Sequence, residues 1–254
     1  MGRVIAIASK ELRSYLVSPA AWVVATVFLA VTGLMFYNIL WWYSGVSFQL
    51  LQSPEAAGRV SVNRMVFAPT FQNVAVTLML LVPIVTMRLL AEERKSRTAQ
   101  LLLTSPVRLG EIVAGKFAAA VLLLAAILLS TLYMPLLVWA YGALDWGPIF
   151  TGYLGLVLLT GAFTAVGLFA SSVTENQIVA AVVTFGLLLS FWVLGWLGQQ
   201  GGEAAAILGP LSLTSHLESF LEGTVELKDV VYYLSLIALG LFLTHRVLDS
   251  SRWR

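Results

Sequence analysis

Gly110-Glu-Ile-Val-Ala-Gly115-Lys116-Phe117 satisfies G-x-x-x-x-G-K, the spacing at which backbone amides and a lysine cradle phosphates. That chemistry also needs a Ser or Thr hydroxyl after the lysine, to hold Mg²⁺, and a strand before the loop. Residue 117 is Phe, and the segment runs straight into a long apolar stretch. The sequence therefore argues against a nucleotide site here. Lys116 reads instead as an interface anchor whose ammonium reaches toward lipid headgroups. Little else could do covalent or metal chemistry. Cysteine is absent, the only histidines are His216 and His245, and neither H-E-x-x-H nor G-x-S-x-G occurs. No zinc, haem or hydrolase constellation follows from these residues.

The elements that must carry these residues are strongly apolar. Of 254 residues, 59% are hydrophobic and 11% charged, against about 45–50% and about 25% in an average soluble domain. So few charges cannot cover a soluble fold of this length. A soluble enzyme, a disordered chain and a disulfide scaffold are excluded together. Six uncharged runs can cross about 30 Å of hydrocarbon as helices. They predict spans at 20–43, 71–91, 117–141, 149–171, 178–198 and 230–248. The second is extended past its run as helix, and the last needs Arg246 to snorkel. The runs lack the alternation of membrane strands. The first begins too late, and is too long, for a cleaved signal peptide. The expectation is an all-α integral membrane protein, one six-span domain over 1–254. The uncharged runs carry no Asp, Glu, Lys, Arg or His, which argues against ion coupling or acid–base chemistry in the bilayer. Pro83 and Pro135 should bend spans two and three. Gly161 with Ala165, Gly167 with Ser171, and Gly186 with Ser190 suit close helix packing.

Twelve of the 15 Lys and Arg fall on one side of this arrangement; Arg59, Arg64 and Lys228 fall on the other. Basic residues collect on the cytoplasmic side. Both termini are thus expected in the cytoplasm, and the protein in the cytoplasmic (inner) membrane.

Three non-spanning pieces carry information. Over 3–16, Val4, Ile5, Ala8, Leu12, Tyr15 and Leu16 share one arc of a helix, with Ile7 out of pattern. This predicts an amphipathic interfacial helix, ended near Ser18-Pro19. The inner loop 92–105 is dense in charge, carries an apolar Leu101-Leu102-Leu103, and stops at Ser105-Pro106. It predicts a helix past Glu93 and then a short surface helix to which something docks. Between spans five and six, over 203–222, Leu213, Leu217, Phe220 and Leu221 have i, i+4, i+7, i+8 spacing. A capping-box pattern at Ser215–Glu218 and Gly223 at the far end predict a short amphipathic helix at the outer interface.

With these residues in place, the chain resembles the permease subunits of type-2 ABC exporters. Lys10-Glu11-Leu12-x-Ser14-Tyr15-Leu16 is similar to their N-terminal helix. Glu92-Glu93-Arg94-Lys95-Ser96-x-Thr98-x-x-Leu101-Leu102-x-Thr104-x-Pro106-Val107 is similar to their loop between spans two and three. The gliding-motility and nitrous-oxide-reductase-maturation (NosY-like) permeases are the nearest in pattern, down to Leu211–Gly223. Arg97 and Gln100 depart from the usual Gly and Glu.

The resemblance implies a dimer with a second copy or paralogue, above ABC ATP-binding subunits that hold ATP and Mg²⁺. This chain would bind no cofactor, have no catalytic residue, and contact lipid but no nucleic acid. ATPase docking would fall to Lys10, Glu11, Arg13, Glu92, Glu93, Arg94, Arg97, Thr98, Gln100, Leu101 and Thr104. Leu213, Leu217, Phe220 and Leu221 would form an exit-side, re-entrant helix, with a periplasmic auxiliary protein as a further partner. The competing readings are a non-transporting scaffold for an extracellular machine and a secondary transporter or channel.

Overall fold

In hydrocarbon an uncharged run can satisfy its backbone only within itself, so it folds as helix. The computed structural model describes residues 2–50, 61–96, 108–142, 144–199 and 209–250, and among these every regular element is helical. Helix α1 (Gly2–Val17) is followed by α2 (Pro19–Leu50). A π-turn at Asn63–Phe67 leads into α3 (Ala68–Thr86) and α4 (Arg88–Lys95). Next come α5 (Leu109–Leu129), a 3₁₀ turn at Ser130–Leu132, and α6 (Tyr133–Tyr141). Then follow α7 (Trp146–Val173), α8 (Gln177–Gln199), α9 (Ser215–Leu221) and α10 (Leu227–Ser250). Six units are long and apolar enough to cross a membrane: α2, the π-turn through α4, α5 through α6, α7, α8 and α10. The all-α, six-span class expected from the sequence is the class observed.

Several boundaries move. The first span runs past 43 to Leu50, because a lone Gly45 does not stop a helix. The third begins at Leu109 rather than 117, where the Arg108 N–H donates to Glu111 Oε2 at 2.9 Å and starts the helix. It is also interrupted. Pro135 has no N–H for the Thr131 carbonyl and crowds it, and the turn at Ser130–Leu132 absorbs the mismatch.

Span two breaks at Met87, four residues beyond Pro83, and span four repairs the break. The buried Ser171 hydroxyl accepts from Leu90 N and Ala91 N, both at 3.0 Å, and donates to the Met87 carbonyl at 3.1 Å. Close approach makes this possible: a Cβ on Gly167 would collide with Thr86. Gly161 likewise admits Ile237, whereas Gly186 faces open space. The small-residue pairs on α7 are therefore packing positions, and the Gly186 pair on α8 packs against nothing within the described residues.

One aromatic run, Phe36, Phe67, Phe71 and Tyr153, ties α2, α3 and α7 with ring centroids 5.1–6.1 Å apart. Spans two and four are the buried ones, 72% each, while α2, α8 and α10 are 17–22% buried and turn apolar faces outward. A smaller cluster joins Tyr15, Leu89, Leu109, Leu168 and Leu248. It brings α1 and the last turns of α10 to one end of the bundle, here called the α1 end.

Only Ser18 separates α1 from α2. Its N–H donates to Ser14 and Tyr15 carbonyls at 3.1 and 3.0 Å, and Trp22 Nε1 donates to the Leu16 carbonyl at 2.9 Å.

Candidate functional site

The α1 end is organised around Lys116. It lies in the third turn of α5, and its side chain is 3% exposed. The ammonium is 3.0 Å from Glu11 of α1 and 2.7 Å from Glu93 of α4. Glu11 and Glu93 are themselves 17% and 18% exposed. One cation thus holds two carboxylates, and three helices meet on it. Removal of such charges from water is tolerable because the opposite charges are within hydrogen-bond reach.

This corrects the reading of Lys116 as a snorkelling anchor. Helix α1 covers it, so its ammonium meets carboxylates before it could reach headgroups. The G-x-x-x-x-G-K stretch is helical from Leu109 on, so its amides bond within the helix and form no phosphate cradle. Glu11 and Glu93, expected to face a docking partner, instead point into the junction.

The inward stripe of α1 is rotated from the expected one. Val4, Ile7, Ala8, Glu11, Leu12 and Tyr15 turn toward the bundle, while Ile5 and Leu16 are exposed. Ile7 is the residue that fixes this register. A Cβ on Gly115 would sit 2.8 Å from the Ile7 side chain, so only glycine lets α1 lie this close to α5. The Tyr15 hydroxyl donates to the Val85 carbonyl at 3.3 Å. Burial, and then the charge of Glu11, hold its phenol above the usual range, with Arg88 acting in the opposite sense.

Around this junction Lys10, Arg13, Glu92 and Lys95 are exposed and Arg94 is half-buried. Arg3 reaches Glu111 at 3.8 Å. These charges, on α1, α4 and α5, share one surface at the α1 end. Arg97, Thr98, Gln100, Leu101 and Thr104 lie outside the described residues.

At the opposite end, Leu213, Leu217, Phe220 and Leu221 are all buried. The helix that carries three of them is only Ser215–Leu221, and Leu213 precedes it. A Cβ on Gly155 of α7 would meet Phe220 at 2.8 Å. The element is therefore wedged against the bundle by its apolar face, with Ser215, Glu218 and Glu222 exposed on the other. Gly223, at φ +88°, ends it.

A polar cluster clamps this element to α10. His216 Nδ1 is 2.6 Å from Asp229 Oδ1, and Nε2 is 3.0 Å from the Pro210 carbonyl. The His216 ring stacks on Tyr232 at 3.9 Å. Ser219 donates to the other Asp229 oxygen. Tyr232 and Tyr233 donate to the Leu211 and Leu213 carbonyls, both at 2.7 Å. Asp229 stands between the hydroxyl and the imidazole, so the imidazole does not contact the serine and the set is not in the order of a Ser–His–Asp triad. Sequence reasoning missed this cluster; the available signal was the pairing of the histidine with an acidic residue at the start of the last span.

No curated protein matches the chain. The family model described as "ABC-2 family transporter protein" matches residues 5–252, which include the Lys116 junction, all six spans and the wedged α9. The match is to that family as a whole and singles out no gliding-motility or nitrous-oxide-related subtype. With nearly its whole length matched, the chain belongs to the ABC-2 transporter family and is a multi-pass membrane subunit of that kind.

Proposed function

We propose that the chain is the permease subunit of an ATP-binding cassette exporter, driven by a separate ATPase subunit docked at the α1 end. The observation that supports this reading best is the Lys116 junction. It makes α1, α4 and α5 respond together to a push on any one of them, and it is bordered by Lys10, Arg13, Glu92 and Arg94. ATP and Mg²⁺ belong to the partner. In this reading the α1 end faces the cytoplasm, as the basic residues predict. Glu11 and Glu93 act by tying helices together, and the exposed charges, with 97–104, make the contact. The outward apolar faces of α2 and α8 suit a second permease copy as well as lipid, and α9 stands at the exit side.

The test is co-expression with ATPases of the ABC type and purification through a tag on this chain. The expected result is a co-purifying ATPase whose retention falls sharply in Arg13→Glu/Glu92→Lys, which reverses two exposed charges. Failure of every such ATPase to co-purify with a folded wild-type chain would overturn the reading in favour of a scaffold or a secondary transporter.

A further inference from the structure

Beneath α9, between the far halves of α3, α7 and α8, lies a cavity of about 300 Å³. That is the lower end of the range for small-molecule sites. Its lining descends α3 from Gln72 to Met79, a drop of about 10 Å along the helix. The deep part is apolar, with the buried Met79, Phe163 and Leu188, and Trp192, 40% exposed, stands at its edge. The mouth is polar, with Gln72, Asn73 and Glu218.

Glu218 is the only ionisable side chain among the described residues that line this cavity. Its carboxylate has no hydrogen bond or ion pair among them. The nearby cation, Arg64, is 3.5 Å from Glu222, one turn further along the chain. Glu218, Glu222 and Arg64 also line a vestibule of about 580 Å³ next to the cavity, and together they carry one net negative charge. Burial, and then the charge of Glu222, hold the Glu218 carboxyl above its usual range. A cation seated at the mouth would relieve both effects.

We propose that this cavity binds a monovalent amphiphilic cation, an apolar body bearing one positive charge. The charge pairs with Glu218 while the body lies against Trp192 and Phe163, where the ring faces favour a cation or its adjoining methylenes. An anion of the same size meets the unpaired carboxylate and is repelled. Binding here is a property of the chain alone. It is measured without ATP or an ATPase, so its outcome is independent of the exporter reading.

The probe is N-octylpyridinium, which quenches tryptophan on contact. It is titrated into the full chain in lipid nanodiscs, with empty nanodiscs giving the partitioning background. The expected result is saturable quenching that is lost in Trp192→Phe. The apparent affinity should be about tenfold weaker in Glu218→Gln, and octyl sulfate should not compete. Met79→Phe, which narrows the cavity, adds no tryptophan and leaves the mouth charge intact, should also weaken the saturable phase. Quenching that never saturates above the background, equal affinity in Glu218→Gln, or effective competition by octyl sulfate would each overturn the proposal.

Discussion

Lys116 Nζ sits 2.7 Å from Glu93 Oε1, with Glu11 Oε1 3.0 Å away from the same atom. Lys116→Met keeps most of the volume and leaves the two carboxylates without their shared cation. The expected loss is about 3 kcal/mol, the lower end for breaking a buried pair because both carboxylates keep some water. Thermal unfolding in detergent at neutral pH measures it. The triple variant Lys116→Met/Glu11→Gln/Glu93→Gln should recover most of the loss. If the single variant unfolds at the wild-type temperature, the ammonium is not what holds the junction.

Ser171 serves two donors and one acceptor at the break in span two. Ser171→Ala removes the hydroxyl that serves the Leu90 and Ala91 N–H groups and the Met87 carbonyl, at an expected cost of about 1–3 kcal/mol. Hydrogen exchange provides the local readout. The amides of residues 90 and 91 should exchange faster in the variant while those of α10 do not change.

Glu218 links stability to pH. Its carboxyl is held above the ordinary value of 4.5 by burial and by Glu222, so the folded state binds this proton more tightly than the unfolded state does. The linkage therefore favours folding at pH below 4.5 and loses that contribution as pH rises through the raised value. Glu218→Gln should unfold at a higher temperature than wild type at pH 7.5, and the difference should vanish below the ordinary carboxylate range. A constant difference across pH would assign the effect to packing.

The chain has no cysteine, so single cysteines report sidedness cleanly. Ser96→Cys should react with a membrane-impermeant maleimide only from the cytoplasm. Ser61→Cys and Val225→Cys should react only from outside. Val225, 49% exposed, is a better site than Ser219, whose hydroxyl is engaged with Asp229. External labelling of Ser96→Cys would invert the proposed orientation, and with it the docking face.

The bundle was legible in the sequence because span length and absence of charge are local properties. The apolar positions in and just before α9 were legible for a similar reason: Leu213, Leu217, Phe220 and Leu221 are spaced as on one helical face, and all four are buried, although Leu213 precedes the helix. The junction was not. Lys116 stands at the edge of an uncharged run, where anchors usually sit, and one of its partners is 105 residues away. A helical wheel of α1 places Glu11 outward by type and so rejects Ile7, which shares its face. Charge-bearing positions are placed by what packs across from them, and periodicity says nothing about that. The same limit applies to Asp229, which reads as an exposed loop acid and is 1% exposed.

The single residue between α1 and α2 makes the two helices a bent lever. The long arm has 32 residues, about 48 Å of helix. It lies against the bundle along one narrow line that includes Val24, Phe28 and Phe36. If Ser18 transmits a tilt of α1 of about ten degrees, the far end of α2 sweeps about 8 Å, more than one helical turn. A small torque applied beside Lys116 would thereby be geared up into a displacement at the opposite surface large enough to part Phe36 from Phe67, whose ring centroids are 6.1 Å apart.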